Sequence, residues 1–146
     1  MNTNVTNSKD FDDKDYSPTI LMIEDSPADA RIIKQQIRTV WFKARVVVAT
    51  SLSQAFEFHK NEQIDLVLLD LNLPDGYGAQ TVEEVRKFCK DAPIIVISGM
   101  DKRIQEKGVE KLGAVDFIEK DIVMSPDFLS ILQRHLTKHL RRNLPT

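Results

Sequence analysis

Four short apolar runs in this chain each end on a residue that can handle phosphate. Leu21-Met22-Ile23 runs into the acid pair Glu24-Asp25, and Leu66-Val67-Leu68-Leu69 into Asp70. Ile94-Ile95-Val96-Ile97 ends on the hydroxyl of Ser98, and Phe117-Ile118-Glu119 on the ammonium of Lys120. A carboxylate can attack a phosphoryl group and carry it as an acyl phosphate. Such chemistry asks the protein mainly for positioning and charge neutralisation. Asp70, alone at the end of its run, is the candidate nucleophile. Glu24 and Asp25 would complete an acidic pocket, which repels itself unless a cation compensates. Mg²⁺ suits that role, because it takes few carboxylates and fills its shell with water and phosphate oxygens. Lys120 could pair with one non-bridging phosphate oxygen, and Ser98 could donate to another. Each residue alone has an ordinary reading as a helix cap or a solvated strand end. The four ends together point to one Mg²⁺-dependent phosphoryl site.

Apolar runs closed by a polar residue read as buried parallel strands whose carboxyl ends open into a crevice, where open α/β sheets bind ligands. The pattern predicts strands near residues 19–24, 45–49, 65–70, 93–98 and 115–119. It predicts helices near 27–39, 52–61, 79–90, 102–112 and 126–142. Strict alternation calls for a parallel sheet with helices on both faces. Ser26-Pro27-Ala28-Asp29 offers an N-cap hydroxyl, a proline preset for the first turn and an acid against the helix dipole. Ser125-Pro126-Asp127 repeats the device, Ser51 to Gln54 reads as a capping box, and Pro74-Asp75-Gly76 as a turn. The fourth predicted helix is weak. Gly108 in its interior costs about 1 kcal/mol relative to alanine, and its apolar face holds only Ile104, Val109 and Leu112. It reads equally as a marginal surface helix and as an element with two packings.

A chain of 146 residues fits one domain. Residues 1–17 are polar apart from three larger apolar residues (Val5, Phe11 and Tyr16) and read as a flexible leader, which leaves 18–146 for the domain. A net charge of −2 gives no general reason to bind nucleic acid or an anionic membrane. No apolar stretch approaches the ~20 residues of a membrane span. The amino terminus has no apolar signal core, so a cytoplasmic location is expected. Cys89 is the single cysteine, placed in an amphipathic helix, and no internal disulfide can form. His59, His135 and His139 have no carboxylate or cysteine at metal-ligand spacing. The basic end of the last helix (Arg134, His135, Lys138, His139, Arg141 and Arg142) reads as dipole compensation. It has no interleaved aromatic residues for base stacking.

The same residues carry a family resemblance. Four segments match in order and spacing: Glu24-Asp25-Ser26-Pro27-Ala28-Asp29, Leu68 through Gly76, Ile97-Ser98-Gly99, and Gly113 through Lys120. Over about residues 19–142 the chain resembles the receiver domain of two-component response regulators. The resemblance implies a flavodoxin-like (βα)₅ fold, a doubly wound sheet of five parallel strands in the order 2-1-3-4-5. It implies that Asp70 accepts phosphate from a histidine kinase or a histidine phosphotransfer protein. It implies that Asp25, Asp70 and the backbone carbonyl of Asn72 hold Mg²⁺, with Glu24 acting largely through water. Ser98 and Lys120 would bind the phosphoryl group. Phe117 falls at the aromatic switch position, whose ring turns inward as Ser98 moves; by periodicity alone it reads as core. Asn72 and Met100 fall at positions that tune the lifetime of the phosphate. One position departs from the family. Asp121 stands where a proline with a cis bond usually follows the lysine. A cis bond without proline costs about 3 kcal/mol, so this one is expected to be trans. Ile122-Val123-Met124 is apolar for a loop and is expected to pack beneath the last helix, with partner surface as the other reading.

The expected protein is therefore a signalling switch rather than a turnover enzyme. A phosphoryl group brings roughly two negative charges and re-pairs local donors, biasing a two-state element. No output domain is read after the last predicted helix, so a stand-alone receiver is expected. Its signal would leave through the face of the fourth helix, fifth strand and fifth helix, toward a downstream effector protein or a second copy. Passing the phosphate onward to a phosphotransfer protein is the close variant. A receiver-shaped interaction module that takes no phosphate is the alternative, with Asp121 as its support. A haloacid-dehalogenase-like phosphatase would need an aspartate where Asn72 stands. A dinucleotide site would need a glycine-rich turn where Glu24-Asp25-Ser26-Pro27 stands.

Overall fold

The computed structural model describes residues 17–99 and 108–142. Met100, the leader up to residue 16 and most of the fourth predicted helix, Ile104 included, lie outside the described residues. The elements run in the order β1 (Thr19–Ile23), α1 (Pro27–Val40), β2 (Arg45–Ala49), α2 (Leu52–His59) and β3 (Leu66–Leu69). A small hairpin follows, β4 (Asn72–Leu73) and β5 (Gly76–Tyr77), then α3 (Gln80–Phe88) and β6 (Ile94–Ser98). Helical residues 108–111 precede β7 (Asp116–Glu119), and α4 (Pro126–Arg142) closes the described chain.

The main sheet has five parallel strands in the order β2-β1-β3-β6-β7. Counting only its own strands, that is the expected 2-1-3-4-5. Successive residues of a strand face opposite sides, and both sides are covered. Leu21, Ile23, Val67, Leu69, Ile94, Val96 and Phe117 pack with α2, α3 and Val109. Ile20, Met22, Leu66, Leu68, Ile95, Ile97 and Ile118 pack with α1 and α4. This double coverage is why the strands read as continuous apolar runs rather than alternating ones.

Helix starts follow the local chemistry, with two adjustments. Ser26 Oγ accepts from the Asp29 amide at 3.2 Å, with Pro27 in the first turn, and Ser125 Oγ accepts from the Asp127 amide at 3.0 Å. At α2, Ser51 Oγ accepts from the Gln54 amide, but Gln54 Oε1 reaches the amide of Thr50 instead of closing a reciprocal box on Ser51. The two foremost amides of α2 are taken by Asp75, whose carboxylate accepts from Leu52 at 2.8 Å and Ser53 at 3.1 Å. The predicted turn residue thus ties the β4–β5 hairpin to the next layer. Cys89 closes α3 as its C-cap rather than lying inside it, and it is buried.

The loops after α3 and before β7 are held by Arg86. Its guanidinium donates to the carbonyls of Cys89, Lys90, Ala92 and Gly113 at 2.8–3.0 Å. Gly113 has φ +117, and a Cβ there would sit 3.2 Å from Arg86 Nε, so glycine suits the position twice over. Asp116 at the head of β7 accepts from Arg134 and lies 3.0 Å from His135 Nε2. The His135 hydrogen bond, against some burial, holds the Asp116 carboxyl below its usual range. The histidine without a sequence-adjacent acid has one across the fold. Val123 is buried under α4 and Ile122 packs beside it, but Met124 is 70% exposed, so the apolar loop packs only in part. No helix among the described residues is long and apolar enough to cross a membrane.

Candidate functional site

Strand pairing brings the four polar ends together. Ile23 is in register with Leu69, Leu69 with Val96, and Ser98 with Glu119. Glu24 and Asp70 therefore emerge level with each other and with Ile97, Ser98 one residue further on and Lys120 one beyond Glu119, all at one edge of the sheet. Two backbone bonds continue the ladder into the site: Glu24 donates to the Ala49 carbonyl at 2.9 Å, and Asp70 to that of Ile23 at 3.0 Å. The ends open into a cleft of about 500 Å³ lined by Asp29, Asp70, Asn72, Tyr77, Ser98, Gly99 and Lys120. Glu24, Asp70 and Ser98 are buried, whereas Asp25 is exposed.

The charges are arranged around one lysine. Lys120 Nζ lies 2.7 Å from Asp29 Oδ2, 2.9 Å from Glu24 Oε1 and 3.3 Å from Asp70 Oδ2. The other oxygen of Glu24 accepts from the Ser26 amide at 3.1 Å, and that of Asp70 from the Asn72 amide at 3.2 Å. These bonds fix both carboxylates in rotation and leave the other oxygen of each facing Lys120. Burial pushes the Glu24 carboxyl up to about 7; Lys120 opposes the shift and Asp70 adds to it. Burial lowers the Lys120 ammonium, but its bonds to Asp29 and Glu24 outweigh that, and its pKa lies above the ordinary lysine value. The two shifts have different causes: burial raises Glu24, whereas the surrounding acids raise Lys120. The lysine is held charged, and burial keeps the Glu24 carboxyl high even with that ammonium at 2.9 Å.

That excess of acid is a test of whether a metal suits the site. Glu24, Asp25 and Asp70 each offer an oxygen within 4.8 Å of the others. An all-oxygen set with one exposed member, next to an open cleft, fits a hard divalent cation that keeps water in its shell. A soft or nitrogen-preferring metal has no histidine or thiolate here.

The structure gathers Glu24, Asp25, Asp70, Asn72, Ser98 and Lys120 at one place. Phe117 is not part of the cleft; its ring is buried in the core beside Val109. Every peptide bond among the described residues is trans, Lys120–Asp121 included, and Lys120 starts a short 3₁₀ turn. Sequence reasoning placed Asp29 only at the first turn of α1 and missed it as a partner of Lys120. The available signal was position: the third residue of a helix that begins at the same sheet edge as the acid pair.

Residues 20–132 match the model of the response regulator receiver domain. The chain belongs to this family. Among relatives of the receiver, it is 33% identical over 101 residues to the probable C4-dicarboxylate response regulator DctR of Bacillus subtilis, covering 69% of this chain and 45% of that protein. It is 32% identical over 95 residues to the chemotaxis protein CheY of Thermotoga maritima, covering 63% of this chain and 79% of that protein. The receiver spans about half the length, or less, of the larger regulators it matches. A CheY-like receiver domain protein from Methanospirillum hungatei superposes with a TM-score of 0.73 at 21% identity, over 88% of this chain and all of that one. The receiver domain of a Pseudomonas aeruginosa sensor histidine kinase superposes with a TM-score of 0.66 at 23% identity, over 83% of this chain and 98% of that one. That crystal structure has a magnesium ion coordinated in its active site cleft. Likeness at these identities speaks to the fold.

Proposed function

We propose that this receiver takes a phosphoryl group on Asp70 from a histidine kinase or a histidine phosphotransfer protein. The resulting aspartyl phosphate then changes its binding to an effector protein or to a second copy of itself. The observation that carries this reading is Lys120 Nζ 3.3 Å from an Asp70 oxygen, in an open cleft that Ser98 also lines. An Asp70 oxygen attacks phosphorus, the phosphorus–nitrogen bond to the donor imidazole breaks, and the leaving electron pair stays on that ring. Lys120 and Ser98 meet non-bridging oxygens of the arriving group, and the Asn72 amide keeps Asp70 oriented. Mg²⁺ held by Asp25, Asp70 and the Asn72 carbonyl, with Glu24 through water, would neutralise the carboxylates and the incoming charge. The pairing of β6 with β7 links Ser98 to the strand that carries Phe117, which supports these two as the switch pair.

The test is incubation with Mg²⁺ and acetyl phosphate, read by intact mass. One phosphoryl adduct on the wild type and none on Asp70→Asn is the expected result. No adduct on a folded, Mg²⁺-binding wild type would favour the interaction module that works without phosphate.

A further inference from the structure

The proposed phosphoryl chemistry leaves Asp29 unused, although its contact to Lys120 is the shortest that the lysine makes. An ammonium has three N–H donors, and here they face three carboxylates. The phosphoryl group puts three acceptor oxygens and roughly two negative charges where one Asp70 oxygen stood, so for Lys120 to follow it a second carboxylate must give up its donor. Glu24 is poorly suited to do so, because its side chain is 2% exposed and losing the lysine would strand a buried charge. Asp70 is the residue being phosphorylated. The Asp29 side chain is 40% exposed, so water can replace the lysine at little cost.

We propose that Asp29 is a positioning residue that holds Lys120 in the unphosphorylated state and yields it to the phosphoryl group on Asp70. The inference rests on the phosphoacceptor reading above and adds a competitor for the lysine to it. Asp29 and Lys120 also line a second, more apolar hollow of about 260 Å³ with Ile32, Ile33, Asp121, Val123 and Met124. Release of Asp29 therefore changes a wall of that hollow, and phosphate on Asp70 is felt between α1 and the loop before α4. Lys120 opens the short turn that follows β7, and its Nζ reaches Asp29 Oδ2 at 2.7 Å.

Beryllofluoride, a phosphoryl mimic, titrated calorimetrically into the full chain at saturating Mg²⁺ tests the competition. Asp29→Asn keeps the side-chain shape and the Ser26 cap to its amide but removes the charge. It should bind beryllofluoride about two- to fivefold more tightly than wild type, the range for loss of one half-exposed competing pair. Asp29→Glu, which restores the charge, should return the affinity toward wild type. Equal or weaker binding by Asp29→Asn, with its thermal unfolding intact, would overturn the competitor role. So would an Asp29→Glu variant that behaves like Asp29→Asn. A wild type that binds no beryllofluoride would instead overturn the phosphoacceptor reading, and this inference with it.

Discussion

Glu24→Gln should make the metal-free protein more stable at pH 8 and leave it nearly unchanged at pH 5. Glu24 is 2% exposed, and burial raises its carboxyl from 4.5 to about 7, against the pull of Lys120. The folded state therefore holds this proton more tightly than the unfolded chain does. The stability associated with it is fully present below pH 4.5 and is lost as pH rises through about 7. At 1.36 kcal/mol per unit the ceiling is about 3 kcal/mol. That ceiling is already net of the bonds to Lys120 and the Ser26 amide, and imperfect mimicry of the protonated carboxyl by an amide takes back about 1 kcal/mol. A net gain of roughly 1–2 kcal/mol remains at pH 8, or about 3–8 °C in midpoint for a domain of this size. Thermal unfolding in EDTA at several pH values, wild type beside variant, measures it. Other titrating groups are common to both proteins, so the difference isolates Glu24. Mg²⁺ should close the gap by stabilising the wild type more. A gap that does not change with pH, or a variant less stable at pH 8, would refute the claim that excess buried acid strains the site.

Two further outcomes are expected. Lys120→Ala should still accept phosphate on Asp70 but lose the phosphate-dependent change in partner affinity or oligomeric state, measured by sedimentation or calorimetry; a normal change would remove Lys120 from the switch. Arg86→Met should cost about 2–4 kcal/mol in urea unfolding, since four carbonyls around the α3–β6 and β7 loops lose their donor. A loss under about 0.5 kcal/mol would mean that water satisfies those carbonyls equally well.

The legible parts of this molecule are those where chain order and spatial order coincide. Asp70 and Lys120 could be placed because each ends an apolar run, and parallel strands carry their carboxyl ends to one edge. The β4–β5 hairpin could not, because two-residue strands are too short to show a period, and only its Pro74-Asp75 turn gave a signal. Asp29 had a sufficient local explanation as a first-turn acid, and its partner lies 91 residues away. Arg86 sits on the polar side of an amphipathic helix, where an arginine reads as solvated, yet its donors serve backbone carbonyls of loops that only the fold brings near. Asp75 likewise looked complete as a turn residue while capping α2. In each case a local rule was satisfied and a second, tertiary role had no separate mark in the sequence.

The most direct test of the central claim is to locate the phosphoryl group. The full chain, treated with acetyl phosphate and Mg²⁺, would be reduced with borohydride, which converts an aspartyl phosphate to homoserine, and the peptides sequenced by mass spectrometry. Homoserine at position 70, absent when Mg²⁺ is withheld, is the predicted result. Modification at Asp25 or Glu24 instead, or none in a protein that binds Mg²⁺, would contradict the assignment of Asp70 as the acceptor.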